Sequence, residues 1–366
     1  MSTLHVTNGD CAGDTLKQFA DGPVIVTCDV LHEGPAPALD GDAWYATRGR
    51  FLGDDDASAR RIATGLAAAD RAVGDALARG DDVVLWFEHD LFDQLLLIRT
   101  LDLIGRLPVA PGVRRPVSLI CIDRFPGVDR FIGLGQLDAT QLQSLYPSRR
   151  PVTADQCAIA SAAWDAFRSP DPRSLIEIAV RPPASARSAT AGSRQGAGES
   201  HRSEGGAPDA IADTTGARDE GSAPLPFLRQ ALLRFLAEYP SASNGLTGTE
   251  QLALAALGEG PLAAGALFAT TQAEEPRPFM GDTTFFDTLR AMAAARTPLV
   301  EIDAPSDRLD IRRDRVAITA AGQDVVEGRR DRVVLNGISM WRGGVHLEGR
   351  DTSPFRWDAR RETLVS

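Results

Sequence analysis

The chain has 366 residues, 43% of them apolar and 24% charged, with a formal net charge of −11. That length suits two or three domains of ordinary globular composition; no apolar run approaches the ~20 residues of a transmembrane helix, and the opening MSTLHVTNGD lacks the basic-then-apolar order of a secretory signal. Residues 1–180 carry 17 Lys+Arg against 25 Asp+Glu and residues 225–366 carry 17 against 19, so the first part is a poor platform for nucleic-acid phosphates, while the second leaves DNA open without favouring it.

Four cysteines, Cys11, Cys28, Cys121 and Cys157, are scattered without a C-x-x-C pair. This argues against a zinc ribbon or disulfide framework and fits a reducing cytoplasm. Cys28 and Cys121 fall at apolar runs, where core packing is the simplest role.

In chain order, Leu4-His5-Val6-Thr7 reads as a first strand, Asn8-Gly9-Asp10 as a turn, and Gly13 to Phe19 as a helix. Val24 to Cys28 is a second strand, ending in Asp29-Val30-Leu31-His32-Glu33-Gly34-Pro35, where Gly-Pro marks a loop. Residues 43–80 are helical by pattern, interrupted by Asp54-Asp55-Asp56, which suits an N-cap and a solvated first turn. Val83 to Phe87 has the length and composition of a buried strand. Glu88-His89-Asp90 follows it, then a helix with Leu91, Leu95, Ile98, Leu101 and Ile104 apolar. Asp90 is placed as its N-cap and Asp93 in its first turn. Pro116 to Ile122 is a fourth strand ending in Asp123-Arg124, and helices follow near 138–146, 153–168 and 172–179.

Alternating strands and helices imply a parallel sheet with right-handed crossovers. Residues 1–180 are therefore expected to form a doubly wound α/β domain. Residues 181–224, rich in Ser, Gly, Ala and charge, read as a flexible linker. Residues 225–366 show helices near Phe227–Leu236, Leu252–Leu257, Gly260 and Phe285–Met292. Short strands are expected at Pro298–Ile302, Leu309-Asp310-Ile311 and Arg315–Ile318, and a last helix from Thr319 to Val326. Helices followed by a β-ribbon give a winged helix-turn-helix-like α+β pattern. The aromatic and Arg-rich tail, MWRGGVHL and FRWD, is expected to pack onto the α/β domain.

Each parallel strand turns polar at its carboxyl end, and in open α/β sheets ligands bind along that edge. The ends offer Asn8, Gly9 and Asp10; then Asp29, His32 and Glu33; then Glu88, His89 and Asp90; then Asp123 and Arg124. His32, His89, Glu33 and Glu88 are the candidate catalytic residues, and Asn8, Gly9, Asp10, Asp90, Asp123 and Arg124 the candidate substrate contacts. Three chemistries suit them. His32, His89, Asp10 and Glu88 could hold a divalent metal that activates water. His and Glu could work as general acid and base without one. The helix starts after Gly9-Asp10 and at Asp90 could hold an anion. Against these stands a structural role for each residue: Asp10, Asp29 and Asp90 as caps or turn residues, and His32 and His89 as core histidines. Cys11 as a nucleophile, and His346 reaching the site through the tail, are weaker candidates. No Walker loop, G-x-G-x-x-G, G-x-S-x-G or H-E-x-x-H is present.

LHVTNGD at Leu4–Asp10, LHEGP at Leu31–Pro35 and LWFEHDLFDQL at Leu85–Leu95 resemble the bacterial family known as the domain of unknown function numbered 1835. The resemblance covers roughly the first 130 residues, and the region from Leu225 to Asp358 resembles the C-terminal part often joined to it. It implies no defined activity. It also implies a small polar residue such as Ser at position 11, where this chain has Cys11.

The leading expectation is a cytoplasmic enzyme of hydrolysis or group transfer, acting on a small polar, nucleotide or phosphorylated substrate at the sheet edge. The competing ones are a ligand-sensing regulator or protein-interaction module whose winged helix binds a protein, or DNA through Arg312, Arg313 and Arg315, and a scaffold whose winged helix forms a homodimer.

Overall fold

The structure, a computed structural model, describes residues 2–108, 116–180, 223–303, 314–350 and 355–365. Strands β1 (Thr3–Asn8), β2 (Val24–Thr27), β3 (Asp82–Glu88) and β4 (Val117–Ile122) run parallel in the order β2-β1-β3-β4. Strand β5 (Arg150–Pro151) closes the edge antiparallel to β4. Around them lie α1 (Asp10–Leu16), α2 (Gly41–Leu52), α3 (Asp56–Arg79), α4 (Leu91–Arg106), α5 (Ala139–Leu145), α6 (Ala154–Phe167) and α7 (Arg173–Val180).

The apolar runs of the strands are explained by burial on both faces. Val83, Leu85 and Phe87 pack with Leu77 of α3, Leu95 of α4 and Trp164 of α6. Val84 and Trp86 pack on the other face with Ala12 and Leu16 of α1 and Leu142 of α5. Trp86 and Phe87 are fully buried, worth on the order of 2–3 kcal/mol each. Helix α3 begins as the acidic run predicts: Asp55 accepts from the Ser58 backbone N–H, and the Ser58 hydroxyl answers the Asp55 N–H.

The connection from β1 leads outward to β2, and the chain then crosses back to β3, so strand order reverses between β1 and β3. Helices α1 and α4, which follow those two strands, lie on opposite faces. In open sheets of this kind the carboxyl ends at such a reversal are the position where ligands bind.

The C-terminal part holds α8 (Leu228–Leu236), α9 (Gly248–Ala256), α10 (Ala264–Glu274) and α11 (Asp282–Ala293). An antiparallel sheet of β6 (Leu262–Ala263), β8 (Arg315–Ile318) and β7 (Val300–Asp303) is interleaved with them. This is the helix-then-ribbon order expected. Then come α12 (Ala320–Val326), α13 (Arg332–Asn336), a hairpin of β9 (Ile338–Arg342) and β10 (Val345–Gly349), and a pair of β11 (Arg356–Asp358) and β12 (Thr363–Val365). Helix α8 packs on α4 and α7, and one hydrophobic core runs continuously from Leu4 through Phe235 to Trp357.

The tail docks on the α/β part at its glycines: Gly344 N donates to Phe167 O at 2.9 Å, and Ala36 N donates to Gly343 O at 2.8 Å. Residues 181–222 of the expected linker, the strand at Leu309-Asp310-Ile311, and Arg312 and Arg313 lie outside the described residues. Among the described residues no helix is long and apolar enough to cross a membrane.

Three details differ from the sequence reading. Helix α1 begins at Asp10, not near Gly13, because Gly9 takes φ +74° and turns the chain into the helix at once. Strands β5 and β6 have two residues each, too short to show a period. Cys28 is exposed rather than packed in the core, since it lies one residue beyond β2.

Candidate functional site

The chain leaves β3 at Glu88 and enters α4 at Leu91, and five polar side chains lock that junction. Asp90 caps α4 by accepting from Asp93 N at 2.8 Å. Asp93 turns back and accepts from Glu88 N at 3.0 Å and from Asn8 Nδ2, at the end of β1, at 2.6 Å. Gln94 Nε2 donates to Glu88 O at 2.7 Å. Glu88 Oε2 accepts the backbone N–H of Leu134, and Gly133 makes room for it: a Cβ there would lie 2.5 Å from Glu88 Oε1. The expected anion site at the start of α4 is thus taken by the helix's own carboxylates.

Glu88, Asp90 and Asp93 bring ligand oxygens within 4.8 Å of one another. None of the three has an ion-pair partner among the described residues. Burial and mutual repulsion push Glu88 and Asp90 well above the usual carboxylate range, and burial lifts Asp93 to about 7. Burial thus favours the protonated forms of the cluster. Of the expected metal set His32, His89, Asp10 and Glu88, only Glu88 belongs to it. Asp10 is exposed on α1, and the two histidines are enclosed by aromatic rings.

The loop after β2 is shaped by one buried arginine. Arg48, fully buried on α2, donates to both Asp29 oxygens and to the carbonyls of Val30, Glu33 and Pro35. Asp29 is thereby structural. The loop presents His32, 2% exposed, between Phe92 at 5.6 Å and Phe279 at 5.1 Å between ring centroids. Neither ring nitrogen has a hydrogen-bond partner. Burial, with Arg342 and Arg234 nearby, lowers His32 to about 3, so the ring is neutral. Glu33 accepts from Arg342 at 3.3 Å, which leads into a buried ionic chain through Glu238 and Arg234 to Glu275. Burial raises Glu33 and Arg342 opposes that rise.

His89, 5% exposed, lies between Phe131 at 6.0 Å and Phe227 at 6.1 Å. Its Nδ1 is buried without a hydrogen-bond partner. Burial and the charge of Arg277 lower its pKa; Asp123 opposes them. Asp123 pairs with the exposed Arg124 at 2.9 Å. Arg277 lies 5.7 Å over the Phe227 ring and has a buried Nη1 without a partner.

The segment Glu275-Pro276-Arg277-Pro278-Phe279 therefore roofs the sheet edge. Arg130 ties it down through the carbonyls of Gln272 and Glu275, and Arg234 through the Glu275 carboxylate. Arg277, Phe279 and Phe227 were not legible as site residues. Their only signal is a Pro-flanked Arg and Phe in a loop.

The arrangement brings together Asn8, Glu88, Asp90 and Asp93 on one side, and His89, Asp123 and Arg277 on another. His32 joins them through Phe92 in the first turn of α4. It does not gather in Gly9 beyond its turn, Asp10, or Arg124, which points to solvent. His5 is held between Trp86 Nε1 and Asp21, and His346 stacks on Trp341 at 4.7 Å, so neither joins the cluster. Cys11 is exposed beside Gly135. Cavities beside Asp70 and Leu103, and beside Gly105 and Cys157, lie away from this edge. Neither protein-family models nor curated proteins give a match to this chain.

Proposed function

We propose that the chain is an enzyme of hydrolysis or group transfer, acting on a small polar substrate such as a nucleotide or other phosphorylated metabolite at the carboxyl edge of its sheet. One observation carries this reading. Buried polar atoms without partners gather there: Asn8 Oδ1, both His32 nitrogens, His89 Nδ1 and Arg277 Nη1. Each such atom costs about 1–3 kcal/mol unless something completes it, and a polar ligand would complete several at once.

His89 suits a general base. Its lowered pKa keeps the ring neutral, and Nδ1, buried without a partner, is the nitrogen that would take a proton from a bound water or hydroxyl. His32, lowered to about 3, is too weak a base for that role and serves as a neutral hydrogen-bonding group. Burial pushes Glu88, Asp90 and Asp93 toward their protonated forms, which suits proton donation. They could also bind a divalent cation: an all-carboxylate donor set suits Mg²⁺ or Mn²⁺ and not a soft metal. Such a cation would stabilise negative charge on a transferring group. The family reading of the three N-terminal motifs is likewise proposed, on those motifs alone.

The test is turnover of a panel of nucleoside mono-, di- and triphosphates, followed by chromatography with and without Mn²⁺. At least one should be consumed by the wild type, and His89→Gln and Glu88→Gln should each slow it at least ~100-fold. Absence of turnover across the panel, or full activity in both variants, would sink the reading.

A second reading, a ligand-sensing regulator, is favoured by the β6-β8-β7 sheet with α10 and α11 before β7, the element order of a winged helix. Helix α11 opposes DNA binding, since it carries Asp282 and Asp287 and its Arg290 is paired with Asp287. DNA affinity that falls with salt, and is lost when Arg312, Arg313 and Arg315 are changed to Ala, would favour the regulator.

A further inference from the structure

The geometry points to Arg277 as the anchor of an oxyanion, a phosphoryl or carboxylate group of the ligand, held above His89. This deepens the proposed function and rests on it. It names the ligand's charged group and gives the C-terminal part a direct share in binding.

Arg277 has no ion-pair partner among the described residues, although 24% of the chain is charged and nearby arginines are paired. Arg234 binds Glu238 and Glu275, and Arg130 binds two carbonyls. Arg277 instead lies on the Phe227 ring, which also packs on His89, and its Nη1 is buried without an acceptor. A buried guanidinium donor facing no acceptor is costly, and an oxyanion is its best complement.

Arg277 and His89 pack on the same Phe227 ring, 5.7 Å and 6.1 Å from its centroid, so a group bound to the guanidinium lies near the proposed base. Its mount is stiff. Pro276 and Pro278 fix the backbone on either side, Gln272 Nε2 holds Met280 O at 2.9 Å, and Arg130 and Arg234 hold Glu275. A preformed donor loses little entropy on binding.

The experiment is calorimetric titration of the full chain with inorganic phosphate, AMP and acetate at matched ionic strength, for the wild type, Arg277→Gln, Arg277→Lys and Glu88→Gln. Saturable binding of phosphate or AMP, weakened at least ~10-fold in Arg277→Gln and partly kept in Arg277→Lys, supports the anchor. Tighter acetate than phosphate binding would assign a carboxylate instead of a phosphoryl group. The same melting curve for Arg277→Gln and wild type in chloride shows that the fold is intact. A shift there is resolved by the Arg277→Lys arm, which keeps the charge. Binding of none of the three anions, or equal binding by Arg277→Gln and wild type, overturns the anchor. Glu88→Gln separates the two ideas: phosphate binding retained with turnover lost leaves both standing. Phosphate binding without any wild-type turnover keeps the anchor and removes the enzyme. Turnover unaffected by Arg277→Gln does the reverse.

Discussion

Asn8 at the end of β1 and Asp93 in the first turn of α4 are joined by a 2.6 Å hydrogen bond across 85 residues of chain. That bond spans the point where strand order reverses, and it is one of the two donors that favour the charged form of Asp93. Asn8→Ala should therefore destabilise the fold by about 1–3 kcal/mol where Asp93 is ionised, and by less where it is protonated. Urea denaturation should show the larger penalty at pH 8 and the smaller at pH 6. Equal penalties would mean that Asp93 does not change charge in that interval.

Asp93 and His32 give opposite pH dependences. Asp93 is raised from 3.8 to about 7, so its contribution is complete below pH 3.8 and is lost as pH rises through about 7. His32 is lowered from 6.5 to about 3, so its contribution is complete above pH 6.5 and is lost as pH falls toward 3. Each slope approaches one proton, about 1.4 kcal/mol per pH unit, and between pH 4.5 and 6 the two offset each other. Relative to wild type, Asp93→Asn should shift the pH slope of stability in the positive direction over that window, and His32→Phe should shift it in the negative direction. Identical slopes in both variants and the wild type would refute both assignments.

The floor of the site was legible and its roof was not, for a physical reason. Strand β3 buries both faces and is apolar from Val83 to Phe87, so the change to Glu88-His89-Asp90 marks the edge in the sequence itself. The pairing of His89 with Phe227, or of His32 with Phe279, depends on how two chain halves dock, and no local period encodes that. The rings that surround His32 and His89 come from segments whose position only the fold reveals. The acidic cluster of Glu88, Asp90 and Asp93 forms because a helix's first turn folds Asp93 back over the strand end, a contact between near neighbours that strand-end counting overlooks.

Arg48 should prove the most sensitive residue of the His32 loop. It is fully buried and satisfies Asp29 and three carbonyls. Arg48→Met leaves a buried carboxylate without its partner, which costs about 3–5 kcal/mol. The double variant Arg48→Met with Asp29→Leu removes the stranded charge and should recover part of that loss, with the unfilled carbonyls accounting for the remainder. Chemical denaturation of the four proteins in the cycle measures the coupling. A double variant no more stable than Arg48→Met alone would show that the carbonyl contacts, and not the ion pair, dominate.

The docking of the tail predicts a glycine that cannot be replaced. A Cβ on Gly344 would lie 1.9 Å from Arg168 O and 2.3 Å from Arg168 C. Both are backbone atoms of the end of α6, with no rotamer to move aside. The same turn takes the Ala36 N–H through Gly343 O, and Arg342 beside it reaches Glu33. Gly344→Ala should thus force the turn away from α6, cost on the order of 1–3 kcal/mol as other overpacked contacts do, and loosen the loop that carries His32. Gly281→Ala is the control, since a Cβ there meets nothing within 4 Å and Gly281 has φ −73°. Thermal denaturation should separate the two variants clearly. Hydrogen exchange should show faster exchange at Leu31 to Ala36 in Gly344→Ala alone, and protection there equal to wild type would mean that the tail does not hold the loop.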